Sequence, residues 1–397
     1  MSTTDSSATD APTIGFPMRG RGELGPPQQY RDLRARPGLV RSALPGGTAV
    51  WLVSRYEDVR AVLTDPRISS NPMKAGFPQI GTNGTIPLRD KVPGWFIGYD
   101  PPEHSRFRKA LIPEFTVRRI AELRKAIRRI VRTRIDAMLA DGDSADLVSA
   151  FALPVPSLVI CELLGVPYTD HELFESRTRT LVRITSTDAE RESAAADLLE
   201  YLGKLISSKR RFPGKDLLSR LLAKDLLTSQ ELSGVAMLLL IGGHETTANN
   251  IGLGVVMQLA HPQWIGDPGV VEEVLRYLSV ADRVALRVAV EDVEIGGQLV
   301  RAGEGIVPLG ASANHDDAAF ERADEFNPTR TDRHHVAFGY GVHQCLGQHL
   351  VRAEMEIAFA ALFERIPGLR LAAEIEDLPF KYDGVLFGLH KLPVRWD

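Results

Sequence analysis

From Thr116 to Ala140 apolar residues recur at Ile120, Leu123, Ile127, Ile130, Ile135 and Leu139, with Arg, Lys and Glu between them. Steps of three and four mark one face of a helix, so this stretch reads as amphipathic, with a solvated basic face. Ser233 to Ala260 is apolar on all sides and reads as one long core helix. Tyr56 to Leu63, Val270 to Leu278 and the segments 144–165, 169–186 and 188–209 read as further helices. A last helical run holds Leu346, Leu350, Ala353, Ile357 and Ala361. Strand signals are short. Gly46-Gly47 precedes Ala49–Val53 as a turn beside a strand, and residues 283–301 hold short strands with turns at Gly296-Gly297 and Gly303. A final strand lies near 384–396. Residues 67–98 carry four Pro and five Gly with little periodicity, and a loop of that length in a compact domain is usually functional. The pattern predicts a mainly α protein with small β-sheets.

Composition narrows the class. The chain has 397 residues, 44% of them hydrophobic, and a formal net charge of -4. That is a globular composition able to bury a sizeable core. No overall basicity points to nucleic acid. The longest apolar stretch, Val235 to Ile241, is far too short to span a bilayer, so no membrane association is expected. Met1 to Pro12 is rich in Ser, Thr and Asp and lacks the apolar core of a signal peptide; a disordered tail over 1–14 and a cytoplasmic protein are expected. Two cysteines, Cys161 and Cys345, cannot build a disulfide framework.

Cys345 sits in Phe338-Gly339-Tyr340-Gly341-Val342-His343-Gln344-Cys345-Leu346-Gly347, just before the last helical run. The glycines let the backbone lie close to a flat cofactor and fold back with φ > 0. A helix N-terminus favours the thiolate. A buried free cysteine packing as a small hydrophobe is the plainer alternative. The long helix holds Ile241-Gly242-Gly243-His244-Glu245-Thr246-Thr247. Two glycines in mid-helix cost roughly 1 kcal/mol each against alanine, which suggests a kink or close approach to a ligand. The alternative for Thr246 is a hydroxyl bonded back to its own helix, with Glu245 on the surface.

The Phe-Gly-x-Gly-x-x-x-Cys-x-Gly frame resembles that of the cytochrome P-450 superfamily, and the resemblance runs from about residue 15 to the end. It implies one large domain over 15–397, helical with small sheets, with haem b buried between the long central helix and the cysteine loop. Cys345 would be the axial iron ligand. Glu245 and Thr246 resemble the family's acid–alcohol pair: Thr246 would hydrogen-bond dioxygen or an ordered water, and Glu245 would relay protons. Four positions resemble contacts to the haem propionates. They are His104 and Arg108 in Asp100-Pro101-Pro102-Glu103-His104-Ser105-Arg106-Phe107-Arg108, Arg287, and His343. Phe338 and Gly339 would lie against the cofactor on the sulfur side. Glu273 and Arg276, completed by Arg330, resemble the buried ion network that holds the cysteine loop; it has no catalytic role.

By position, Leu238, Ile241, Gly242, Arg283, Val385 and Leu386 would meet substrate. Most are apolar, so a bulky hydrophobic substrate is expected, and Arg283 could pair with a polar head. Val159 to Pro167 and Asp292 to Gly297 look like actinobacterial members, which implies macrolides, polyketides, terpenoids or similar secondary metabolites. No flavin or nicotinamide fingerprint appears, so electrons would come from a ferredoxin with its ferredoxin reductase and be spent on O2. Arg106, Lys109 and the basic residues of 118–134 could face that acidic partner or be a plain solvated surface. Hydroxylation or epoxidation leads. Oxidative coupling or desaturation on the same haem, and a catalytically idle haem-binding recruiter or sensor, stay open. One departure is local: the chain between His261 and Glu272 is shorter than in most relatives by roughly two helical turns.

Overall fold

Thr228 opens the longest helix: its hydroxyl takes the backbone N–H of Glu231 while the Glu231 carboxylate returns to the Thr228 N–H. This reciprocal cap starts the helix four residues before the apolar run begins. The computed structural model describes residues 14–15, 19, 23–44, 47–78, 92–182, 186–282, 285–382 and 386–396. In chain order its helices are α1 (Gln29–Ala35), α2 (Tyr56–Thr64), α3 (Glu103–Leu111), α4 (Val117–Asp141), α5 (Pro154–Leu164), α6 (His171–Val182), α7 (Asp188–Arg211), α8 (Leu217–Lys224), α9 (Ser229–Ala260), α10 (Val270–Leu278), α11 (Gly310–Asn314) and α12 (Gln348–Arg365). At 1.5 Å per residue, α9 is about 48 Å long and crosses the whole molecule.

α9 packs against α5, α7 and α12, and α12 also lies along α4. These helices enclose the main apolar core, with Ile127, Val131, Leu164, Val235, Ile251, Ala358 and Leu362 buried. The α9–α12 crossing is tight because Gly254 has no side chain: a Cβ there would sit 2.5 Å from the Phe359 ring.

The strands are β1 (Ile14–Gly15), β2 (Val40–Ala43), β3 (Ala49–Val53), β4 (Ile68–Ser69), β5 (Ser144–Asp146), β6 (Arg287–Ala289), β7 (Val293–Ile295), β8 (Gln298–Val300), β9 (Gly305–Pro308), β10 (Arg370–Leu371) and β11 (Pro393–Arg395). They form a six-stranded sheet in the order β1-β2-β3-β9-β6-β4, a three-stranded sheet β10-β11-β5 and the hairpin β7-β8. β3 and β9 run parallel, with Trp51 opposite Ile306. A second core lies under this sheet, where α2 brings Val59 and Val62 against Ile306 and Phe320. No described helix is long and apolar enough to cross a membrane.

One local expectation fails. Residues 144–165 are not one helix: they divide into β5, a π-turn at Val148–Ala152 and α5. Asp146 is the reason. Its carboxylate accepts from Val148 N (3.1 Å) and from Leu392 N (2.8 Å), binding the segment to the C-terminal strand region. Pro154, which lacks an N–H, then opens the new helix at its first turn. The glycine pair does not interrupt α9, which is helical throughout. Gly243 instead lets α5 approach, a Cβ there standing 3.3 Å from Ile160 Cδ1, while Gly242 faces open space.

The shortened connection is a single 3₁₀ turn, Pro262–Trp264. Asp267 Oδ1 then accepts from Gly269 N at 2.7 Å and α10 begins at once. Of the expected 67–98 loop, residues 79–91 lie outside the described residues; the rest holds β4 and a 3₁₀ turn at Phe96–Gly98. The tail over 1–13 also lies outside them.

Candidate active site

The loop before α12 presents Cys345. Its N–H donates to Phe338 O at 2.8 Å, and Gly339 N donates to Val336 O at 2.8 Å. Gly339 and Gly341 both have positive φ, 68° and 72°. Gly341 cannot be replaced cheaply: a Cβ would meet Leu63 O at 2.6 Å, so α2 pins the loop. Cys345 is partly buried as a residue, in dense surroundings. Burial pushes the thiol up from its ordinary value, and the backbone N–H groups of Gly347 and Gln348, with Arg108 and Arg352 nearby, pull it back. Such a sulfur becomes a thiolate when a metal cation takes it. Among the described residues no group of three or more His, Cys, Asp or Glu could hold a metal ion; a macrocycle would add the donors that Cys345 alone does not supply.

Four cationic or imidazole groups gather beside this loop. His104 and Arg108 come from α3, Arg287 from β6, and His343 from the loop itself. The His104 and His343 rings are 3.9 Å apart. Burial lowers all four: Arg287 to about 10, His104 to about 4 with help from Arg108, and His343 to about 2 with help from Arg287, His104 and Arg108. Arg108 is lowered by burial as well. The nearby Asp100 is occupied by Ser69 Oγ (2.5 Å) and Ser70 N (2.9 Å). Among the described residues, His343 Nε2 meets Ser70 Oγ at 2.9 Å and the buried Nδ1 of His104 has no hydrogen-bond partner. Burial keeps the two imidazoles neutral, while buried Arg287 and half-buried Arg108 stay cationic, and a buried cation is costly without a close counter-charge. The residues present therefore fit a group carrying carboxylates, and a dicarboxylate macrocycle held at one face by Cys345 satisfies both features.

Opposite stands α9. Leu238, Gly242 and Thr246 follow at i, i+4 and i+8 and share a face. Leu238 and Ile241 are partly buried against the core, and Gly242 is exposed. The Thr246 hydroxyl donates to Gly242 O at 2.7 Å, the back-bond of the plainer reading. Glu245 is not on the open surface. It keeps 15% of its side-chain exposure and pairs with Lys381 Nζ at 2.8 Å. Leu386 is buried. Arg283 and Val385 lie outside the described residues.

The ion network assembles under the loop. Arg276 grips Glu273 through two bonds of 2.7 and 2.8 Å and donates to the carbonyls of Asn314, Ala323 and Glu325. Arg330 reaches the same carboxylate at 3.2 Å. A neighbouring cluster escaped the sequence reading. Glu272 accepts from Arg352 Nε (2.6 Å) and lies 3.2 Å from His335 Nε2, and Arg352 stacks over Phe338, 4.6 Å from the ring centroid. Arg352 lies seven residues beyond Cys345, two helical turns on, and that spacing was its one visible signal.

The basic surface is less free than its composition suggests. Arg106 pairs with Glu231, Arg119 with Glu122, Arg124 with Glu356 and Arg129 with Glu162. Lys109 stays exposed on α3. A cationic groove of about 390 Å³ on α4, lined by Lys125, Arg128, Arg129, Arg132 and Thr133, involves none of the site residues.

The cytochrome P450 family model matches residues 268–376, which hold the ion network and the cysteine loop. Pentalenic acid synthase of Streptomyces avermitilis is 45% identical, over 99% of this chain and 100% of its own. The chain belongs to the cytochrome P450 family. Solved structures agree. Cytochrome P450 MoxA of Nonomuraea recticatena is 46% identical, covers 97% of this chain and 98% of its own, and superposes with a TM-score of 0.89. The mycinamicin VIII C21 methyl hydroxylase MycCI of Micromonospora griseorubida, bound to mycinamicin VIII, is 40% identical over 96% of this chain and 100% of its own, with a TM-score of 0.89. The protein is accordingly a P450 monooxygenase with a haem iron cofactor and a single P450 domain.

Proposed function

We propose that this P450 takes haem b, receives electrons from a ferredoxin and its ferredoxin reductase in the cytoplasm, and hydroxylates or epoxidises a bulky hydrophobic secondary metabolite, of macrolide, polyketide or terpenoid type. The observation that carries the site assignment is the cluster of His104, Arg108, Arg287 and His343 around Cys345, where the nearby carboxylate, Asp100, is already bonded to Ser69 and Ser70. In this reading Cys345 ligates the iron, and the four groups bind the two propionates. The chemistry haem supplies when bound is dioxygen activation, with thiolate electron density favouring O–O cleavage.

The chain's own residues do the rest. One oxygen atom enters substrate and the other leaves as water, so two electrons and two protons are consumed. Thr246 can keep donating to Gly242 O and still accept from water or a proton carrier through its free lone pair. Glu245 passes protons to the water that this hydroxyl holds as acceptor, and that water delivers them. Phe338, covered by Arg352, keeps water from the sulfur face. Leu238, Ile241, Gly242 and Leu386 give the chamber an apolar wall, and Arg283 and Val385 stay candidates for it. Mycinamicin VIII bound to MycCI supports a macrolide-like substrate. Exposed Lys109, on the helix that meets the cysteine loop, supports docking of an acidic partner there.

The test is a titration of haem-loaded protein with macrolides, polyketides and terpenoids, followed by turnover of binders under labelled dioxygen. A shift of the haem band and one labelled atom per product support the proposal. An unlabelled, dehydrogenated or coupled product overturns the oxygen-insertion assignment, and a panel without any binder overturns the substrate class.

A further inference from the structure

Glu245 is held from an unexpected direction. Its partner, Lys381, lies 136 residues away in sequence, on the chain that returns toward α9 near the C-terminus. Lys381 Nζ is 2.8 Å from Glu245 Oε1 and 3.1 Å from Asn249 Oδ1. The two acceptors stand at i and i+4 on one face of α9, so a single ammonium spans one helical turn. Lys381 keeps 17% exposure and Glu245 15%. A pair this sheltered is screened less than a surface pair and holds its geometry better.

The rest of that chain ties the pair to the chamber wall. Residues 379–382 and 386–390 run antiparallel, bridged at Phe380 and Leu389. Lys381 N donates to Gly388 O (2.8 Å) and His390 N to Pro379 O (2.8 Å). The Phe380 and Phe387 rings stack at 5.7 Å. Gly388 presses on the same helical turn: a Cβ there would meet Asn249 Oδ1 at 2.2 Å. The strand that carries Leu386 and Phe387 is thus joined to Glu245 through one side chain.

We propose that Lys381 is a positioning residue for Glu245. The ion pair fixes the carboxylate to residues 379–382 and, through them, to 386–390, and its hold sets how readily Glu245 passes a proton to the water held by Thr246. This rests on the relay assigned above to Glu245 and Thr246. Removing the ammonium frees the carboxylate from that segment while leaving the haem contacts and the α9 part of the apolar wall in place.

The experiment uses full-length, haem-loaded wild type, Lys381→Met, Lys381→Arg, Glu245→Gln and the double variant Lys381→Met with Glu245→Gln. Amide hydrogen exchange at Lys381, Phe387 and His390 reads the tether without turnover. We expect exchange about tenfold faster in Lys381→Met and in Glu245→Gln, and no faster in the double variant, because one pair is being broken. Additive effects would overturn the pairing. Turnover of 7-ethoxycoumarin with NADPH, a plant-type ferredoxin and its reductase reads the positioning. Lys381→Met should lower product per NADPH about tenfold, send the electrons to peroxide and change the solvent deuterium isotope effect. The spectral Kd of the coumarin should stay within about twofold, and Lys381→Arg should restore coupling. Faster exchange with unchanged coupling and isotope effect overturns the proposal and leaves Lys381 a structural strut. Failure of the haem assignment looks different: it removes the cofactor spectrum from every protein, and leaves the exchange arm to decide on the tether.

Discussion

Thr246 shows how one hydroxyl can serve a helix and a reaction together. Its bond to Gly242 O satisfies the donor and leaves an acceptor facing the open side of α9. Thr246→Ala removes that acceptor and little packing. Coupling of NADPH oxidation to product should fall about tenfold or more, the range of a lost proton-transfer group, with substrate affinity unchanged; simultaneous product and peroxide assays check it. The four propionate candidates and Cys345 were legible because each sits in a short local motif. The partner of Glu245 was not, because 136 residues separate it from Lys381 and no local spacing encodes a contact made by chain return.

Glu272 makes the scale of elements testable, since it ties α10 to α12 and to the segment before the cysteine. Burial pushes its carboxyl up, and its bonds to His335 and Arg352 more than reverse this, bringing it to about 2 from 4.5. The unfolded chain therefore binds the proton more readily. The stability this group adds is whole above about pH 4.5 and is lost as the pH falls toward 2. Glu272→Gln should melt below wild type at pH 7, with the gap narrowing as the pH drops below 4.5; thermal scans from pH 7 to 3.5 measure it. Glu273 answers a different question. Glu273→Gln leaves Arg276 and Arg330 buried without their carboxylate, and should cost about 3–5 kcal/mol in urea unfolding. Apolar periodicity located the long helices well. It misread 144–165, where the carboxylate of Asp146 and the missing N–H of Pro154 override a helical pattern.

The whole molecule places the cysteine loop between α12, α3 and α2, and leaves Lys109 exposed on α3 while Arg106 on the same helix is paired with Glu231. A partner steered by charge should feel that residue. Lys109→Glu should slow electron transfer from ferredoxin about tenfold at low salt, with the difference shrinking as salt rises; stopped-flow reduction measures it. Arg132→Glu, in the separate groove on α4, should leave the rate unchanged. The helical architecture was legible as a class, whereas the pairing order of its small sheets was not, since strands of two to five residues carry almost no periodic signal. The central claim is that Cys345 binds iron as a thiolate. Its most direct test is the carbon monoxide difference spectrum of the reduced, purified protein and of Cys345→Ser. A strongly red-shifted Soret band in wild type that is absent in the variant is the predicted result; an unshifted band identical in both proteins, or no haem spectrum despite ample haem precursor, would contradict it.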